Sequence, residues 1–73
     1  MFKLNEPVSV ESPYTALKDE KGLFEVVSPG GDVLQVSCSP GKPLNARWIK
    51  FSPELRRTGY RWTVTKISDD PKL

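Results

Sequence analysis

Alternation of apolar and polar residues is strongest in two runs near the middle of the chain. These are Leu23-Phe24-Glu25-Val26-Val27 and Val33-Leu34-Gln35-Val36-Ser37-Cys38. Period-two patterning rich in β-branched residues reads as strand. Between the runs lies Ser28-Pro29-Gly30-Gly31-Asp32, whose glycines can take positive φ, so the pair reads as a hairpin. A loop of Pro29 to Gly31 sets Val27 opposite Val33, Glu25 opposite Gln35 and Phe24 opposite Val36. Phe24, Val26, Leu34, Val36 and Cys38 then share one face, and Glu25, Val27, Val33, Gln35 and Ser37 the other. A one-residue slip of either strand would mix the faces, which favours this register.

The remaining pattern is weaker. After the loop Ser39-Pro40-Gly41-Lys42-Pro43, the run Arg47-Trp48-Ile49-Lys50-Phe51 reads as a third strand. Trp48 there shares a face with Lys50, unlike Ile49, which marks it as a candidate exposed anchor. Ser52-Pro53-Glu54-Leu55-Arg56-Arg57 reads as one helical turn, with Ser52 at the N-cap, Pro53 at the first helical position and Gly59 as the stop. Tyr60 to Ile67 alternates again. Tyr60, Trp62, Val64 and Ile67 form the apolar side with a break at Lys66, while Arg61, Thr63 and Thr65 face away. Residues 1–22 read as a flexible or partly ordered arm. Pro7 and Pro13 break any long element, Val8-Ser9-Val10 fits a short strand, and Phe2, Leu4 and Tyr14 are placed to cap a core. Residues 23–67 then form a β-rich core domain, and residues 68–73 a polar tail. The expected class is α+β: a small antiparallel β-sheet of three to five strands with one short helix before the last strand. A strongly bent version would be an SH3-like barrel, a comparison that carries no function.

Composition narrows the chemistry. Seventy-three residues make one domain, near the lower limit at which a single core, worth roughly 3–5 kcal/mol, holds a fold. The chain has no histidine, which removes Ser–His and Cys–His nucleophile pairs, histidine bases and most zinc sites. Cys38 is the single cysteine, unable to form an internal disulfide or clamp a metal alone, and its place in the alternation reads as a buried structural thiol. Ser28 to Gly31 joins two strands instead of opening a helix, so it is a turn and not a phosphate loop. Asp19-Glu20 and Asp69-Asp70 lie in polar loops and read as solvated surface. The expectation is no enzyme, no catalytic residue, no cofactor and no metal. No apolar run approaches the ~18 residues of a membrane span, and Lys3, Glu6 and Glu11 interrupt any signal-like start. The expected location is the cytoplasm, with no membrane contact.

Charge is unevenly divided. From Pro40 to Ile67 seven cations (Lys42, Arg47, Lys50, Arg56, Arg57, Arg61 and Lys66) face one acid, Glu54, and Trp48, Phe51, Tyr60 and Trp62 are interleaved with them. The first 39 residues carry six acids against Lys3, Lys18 and Lys21. Two readings follow. In one, the cations track a phosphate backbone and the aromatics stack on bases, giving a small nucleic-acid-binding module. Against it stand a net charge of only +2, the acidic half, and the lack of any standard module signature. In the other, the same residues dock on an acidic protein surface, where Trp and Arg are favoured anchors and the arm adds a contact. The mixed charge suits the second reading better. Trp62, with apolar neighbours in the alternation, reads as core.

The opening Met1-Phe2-Lys3-Leu4-Asn5-Glu6-Pro7-Val8, the hairpin from Phe24 to Val36, and Leu44-Asn45-Ala46-Arg47-Trp48-Ile49-Lys50-Phe51 resemble a known family over the whole chain. It is that of small bacteriophage transcription regulators, of the Xanthomonas phage type, that bind the host's RNA polymerase. The resemblance implies binding to the N-terminal part of the β′ subunit and to the β subunit, with displacement of σ and a block to initiation. During elongation it implies a seat near the RNA exit channel and readthrough of intrinsic terminators helped by NusA. It also implies a place in the host bacterial cytoplasm, with emerging RNA nearby but not specifically recognised. The family offers no motif on which contacts carry over, so the candidate partner-binding residues come from the physical reading. They are Arg47, Trp48, Lys50, Arg56, Arg57 and Arg61, with Phe2, Lys3 and Leu4 of the arm, on a chain expected to be a monomer.

Overall fold

The hairpin forms in the register that alternation requires. The structure, a computed structural model, describes residues 2–51 and 61–72. β2 (Gly22–Val27) pairs with β3 (Val33–Cys38), with Phe24 opposite Val36, Glu25 opposite Gln35 and Val27 opposite Val33. At the turn, Ser28 N–H donates to the Asp32 carbonyl (2.9 Å) and Gly31 N–H to the Ser28 carbonyl (3.0 Å). Asp32 and Ser28 are both buried, and the Asp32 amide donates to Ser28 Oγ at 3.0 Å.

Among the described residues three further strands join one antiparallel sheet. They are β1 (Val8–Val10), β4 (Asn45–Lys50) and β5 (Trp62–Ser68), and the order is β1-β5-β2-β3-β4. Among the described residues no pairing joins β1 to β4, the closure a barrel would need. One face carries Phe24, Val26, Val36, Cys38 and Val64, all buried, and is covered by Leu17 and Phe2. The Phe2 ring meets Phe24 edge-on, with centroids 5.4 Å apart and planes at 76°.

Residues 2–22 are thus part of the fold. One short helix precedes the last strand, α1 (Pro13–Leu17), between β1 and β2. Ser12 caps it: its backbone is extended, its Oγ accepts from Thr15 N–H (3.4 Å), and Pro13 enters the first turn, where a missing N–H costs nothing. Leu17 is the residue this turn delivers to the core. The helical turn expected over residues 52–57 lies outside the described residues, as do Gly59 and Tyr60. Leu4 and Tyr14, expected to cap the core, are exposed instead. Asn5, in the left-handed region at φ 61°, donates its N–H to the Lys66 carbonyl at 2.7 Å and ties the start of the chain to β5.

β5 departs from simple alternation. Phe24 faces Lys66 but Leu23 faces Ser68, so Ile67 is an extra residue in a bulge. Val64 and Lys66 share a side by plain alternation, and the bulge after Lys66 takes Ile67 out of the ladder, correcting the expectation that the apolar face breaks at Lys66 and continues at Ile67. The Lys66 stem is mostly covered, its Nζ lies 5.9 Å from the Phe24 ring centroid, and the ammonium reaches Asp69 at 2.8 Å. Ile67 is 38% exposed. The tail returns over the opposite face, where the Ser37 hydroxyl donates to the Pro71 carbonyl (2.8 Å) beside buried Leu23.

Cys38 is fully buried. Burial pushes its thiol from the ordinary 9.0 up to about 11, with the Glu20 carboxylate adding to the effect. The folded chain therefore holds its thiol proton more tightly than the unfolded chain. Stability from this source is intact below pH 9 and is lost as pH rises from about 9 toward about 11. At pH 8 iodoacetamide should label native Cys38 at least about a hundredfold more slowly than the urea-unfolded chain, since only the thiolate reacts. Equal rates would mean that the thiol is not buried.

Candidate interaction surface

Among the described strands β4 is the long open edge of the sheet, and all six of its residues are exposed. It leaves the loop after Leu44, which is half-buried against the core, and pairs only with β3 among the described strands. Leu34 faces Trp48 and Val33 faces Lys50, so Ile49 is an extra residue in a second bulge. This corrects the sequence reading of Trp48 and Lys50 as face-mates. Trp48 lies opposite Leu34, on the side of the core, and Lys50 lies opposite Val33, on the other side.

The bulge also turns a cluster outward. Trp48 is 44% exposed, Ile49 55% and Phe51 48%, and the Trp48 and Phe51 rings sit 5.1 Å apart at 54°. Arg47 lies on the tail side, where its Nε donates to Gln35 Oε1 at 3.0 Å. A shallow open cleft of about 360 Å³ runs from Arg47 and Asn45 to Pro71 and Lys72. From Lys42 to Phe51 the surface carries Lys42, Arg47 and Lys50 and no acid. Ile49 joins the candidates from the structure alone, because a bulge leaves no mark in the alternation.

The other candidates lie elsewhere. Phe2 is in the core and is not a surface anchor. Lys3 and Leu4 are exposed beside β5, with β2 and β3 between them and β4. Arg61 stands at the start of β5 against β1. Its Nε donates to Ser9 Oγ (2.8 Å), its Nη2 to the Ser9 carbonyl (3.1 Å), and its Nη1 pairs with Glu11 at 3.4 Å. Arg56 and Arg57 fall outside the described residues. The structure therefore places Arg47, Trp48 and Lys50 on one edge strand, Trp48 on its core side and the two cations on the other, and sets Arg61, Lys3 and Leu4 apart. Arg61→Ala should cost no more than about 1 kcal/mol, because exposed ion pairs are weak, and urea unfolding checks this. A larger loss would make Arg61 a structural tie between β1 and β5 that exposure conceals.

Among the described residues no group of acids, cysteine or histidine is placed to hold a metal ion, and no helix is long and apolar enough to cross a membrane. No family model and no solved structure matches the chain. Among curated proteins, fimbrin-2 of Arabidopsis thaliana is 38% identical over 56 residues, which is 77% of this chain. The chain spans only 8% of the length of fimbrin-2, so the match is a local one.

Proposed function

We propose that this chain is a binding module for the host's RNA polymerase, contacting the N-terminal region of β′ and the β subunit in the bacterial cytoplasm. It blocks σ-dependent initiation by displacing σ and, in elongation, suppresses intrinsic termination together with NusA. It is not an enzyme and uses no cofactor. Support comes from the family resemblance of the sequence and from one structural observation. The exposed edge strand β4 presents Arg47, Trp48 and Lys50 beside Phe51, cations and aromatics without an intervening acid. Such a surface suits docking on an acidic protein face. Arg56 and Arg57 join the surface on sequence grounds alone.

The test is co-elution with purified bacterial RNA polymerase, core and σ-bound, on a sizing column at moderate salt. Binding to core together with loss of σ from holoenzyme is the expected result, and failure to bind either form would overturn the reading. A second reading, single-stranded nucleic acid stacked on Trp48 and Phe51, is favoured by the closeness of those two exposed rings. It requires binding to a bare oligonucleotide that falls steeply with salt.

A further inference from the structure

The direction of the β4 backbone groups gives the surface a mode of binding. Ser28 N–H bonds to the Asp32 carbonyl, so the even-numbered residues of β3 exchange hydrogen bonds with β2 and the odd-numbered ones with β4. The β4 partners of Gln35 and Ser37 are Arg47 and Asn45. The N–H and C=O of Ala46, between them, point away from the sheet. An outward-pointing pair of this kind on an exposed edge is a template for another strand.

Charge decides what that strand is. A second copy of this chain would bring an edge whose charges from Lys42 to Phe51 are likewise all positive, and like charges across a strand pair repel. The bulge at Ile49 twists the edge and further opposes pairing between copies. An extended segment with acidic residues at alternate positions meets the cations instead. We propose that β4 takes up such an acidic segment of a protein partner as an added strand, paired along Asn45–Trp48. Main-chain bonds through Ala46 would supply affinity, and Arg47 and Lys50 would select for acid. As a statement about polymerase binding it rests on the function proposed above.

Two probes separate the ideas. The first is an eight-residue peptide of alternating valine and glutamate, with valine and lysine as its control. The second is core RNA polymerase. Amide exchange is followed across residues 44–50 in the wild type, in Ala46→Pro and in Arg47→Glu/Lys50→Glu. Proline at residue 46 removes an outward donor and leaves the ladder to β3 intact. The charge-reversed variant keeps the backbone and serves if the proline variant does not fold, as read by its thermal transition. The expected result is slowed exchange with the glutamate peptide and not with the lysine peptide, and loss of about tenfold or more in affinity for either variant. If polymerase binds but exchange at 44–50 is unchanged and both variants bind normally, strand addition is overturned and the polymerase reading stands. If the glutamate peptide docks and polymerase does not bind, the reverse holds. Docking of neither probe overturns both.

Discussion

Replacing Phe24 with alanine should abolish the cooperative thermal transition. Phe24 is the largest of the fully buried side chains, and it receives the Phe2 ring edge-on and the Lys66 ammonium on its face. Removing a buried phenyl ring costs about 3–5 kcal/mol, combining lost transfer energy with the cavity left behind. A core of this size supplies about the same total, so the variant has no stability to spare. Circular dichroism during heating should show a gradual change in place of a sigmoid. Tyr14→Ala, at a residue 68% exposed, is the control and should shift stability by no more than about 0.5 kcal/mol. A sharp transition in the Phe24 variant would mean that the sheet is held by something other than this face.

The second large effect is expected at Gly22, where β2 begins. Its φ is +132°, a region L side chains rarely adopt, and a Cβ there would lie 2.5 Å from the Ser68 carbonyl oxygen and 3.0 Å from Lys66 Cε. The lysine end can move, but the Ser68 carbonyl belongs to the strand paired with β2 at the bulge, so relief requires the ladder to open. Gly31 provides a matched comparison: its φ is +92°, and a Cβ there meets nothing within 4 Å. Gly31→Ala carries only backbone strain, about 1 kcal/mol, whereas Gly22→Ala adds the clash and should lose about 2–3 kcal/mol. Urea midpoints of the two variants test this. Equal losses would show that strand β5 yields at Ser68 without penalty.

The parts of the fold legible in the sequence are those where local chemistry and packing agree. The β2–β3 hairpin is the clearest case, because Gly31 takes the positive φ of the turn and a slip of either strand would mix the apolar and polar faces. Helix α1 carries a signal of its own: Ser12-Pro13 offers the same cap-and-proline start as residues 52–57, and Pro13, a breaker of longer elements, sits where a helix tolerates it. The bulges at Ile49 and Ile67 had no signal, since an extra residue is defined by what the neighbouring strand does. They account for the separated faces of Trp48 and Lys50 and for the place of Ile67. Phe2 carries two readings in the sequence, a cap on the core and a contact for a partner, and without periodicity near the chain start only the structure chooses the first. For the candidate surface, charge and aromatic content were legible. The separation of Arg61 from Arg47 depended on a strand order that sequence spacing does not reveal.

That strand order also governs how the molecule comes into being. β5, which follows the other described strands along the chain, slots between β1 and β2, both made much earlier. At ordinary synthesis rates there is an interval of a few seconds when β2, carrying Phe24 and Val26, has one flank paired and the other bare. Until β5 arrives the nascent chain exposes an apolar strand with unsatisfied backbone groups, open to proteases, chaperones and other nascent chains. A message cut short ahead of Trp62 would therefore yield a substrate for degradation and not a smaller binder.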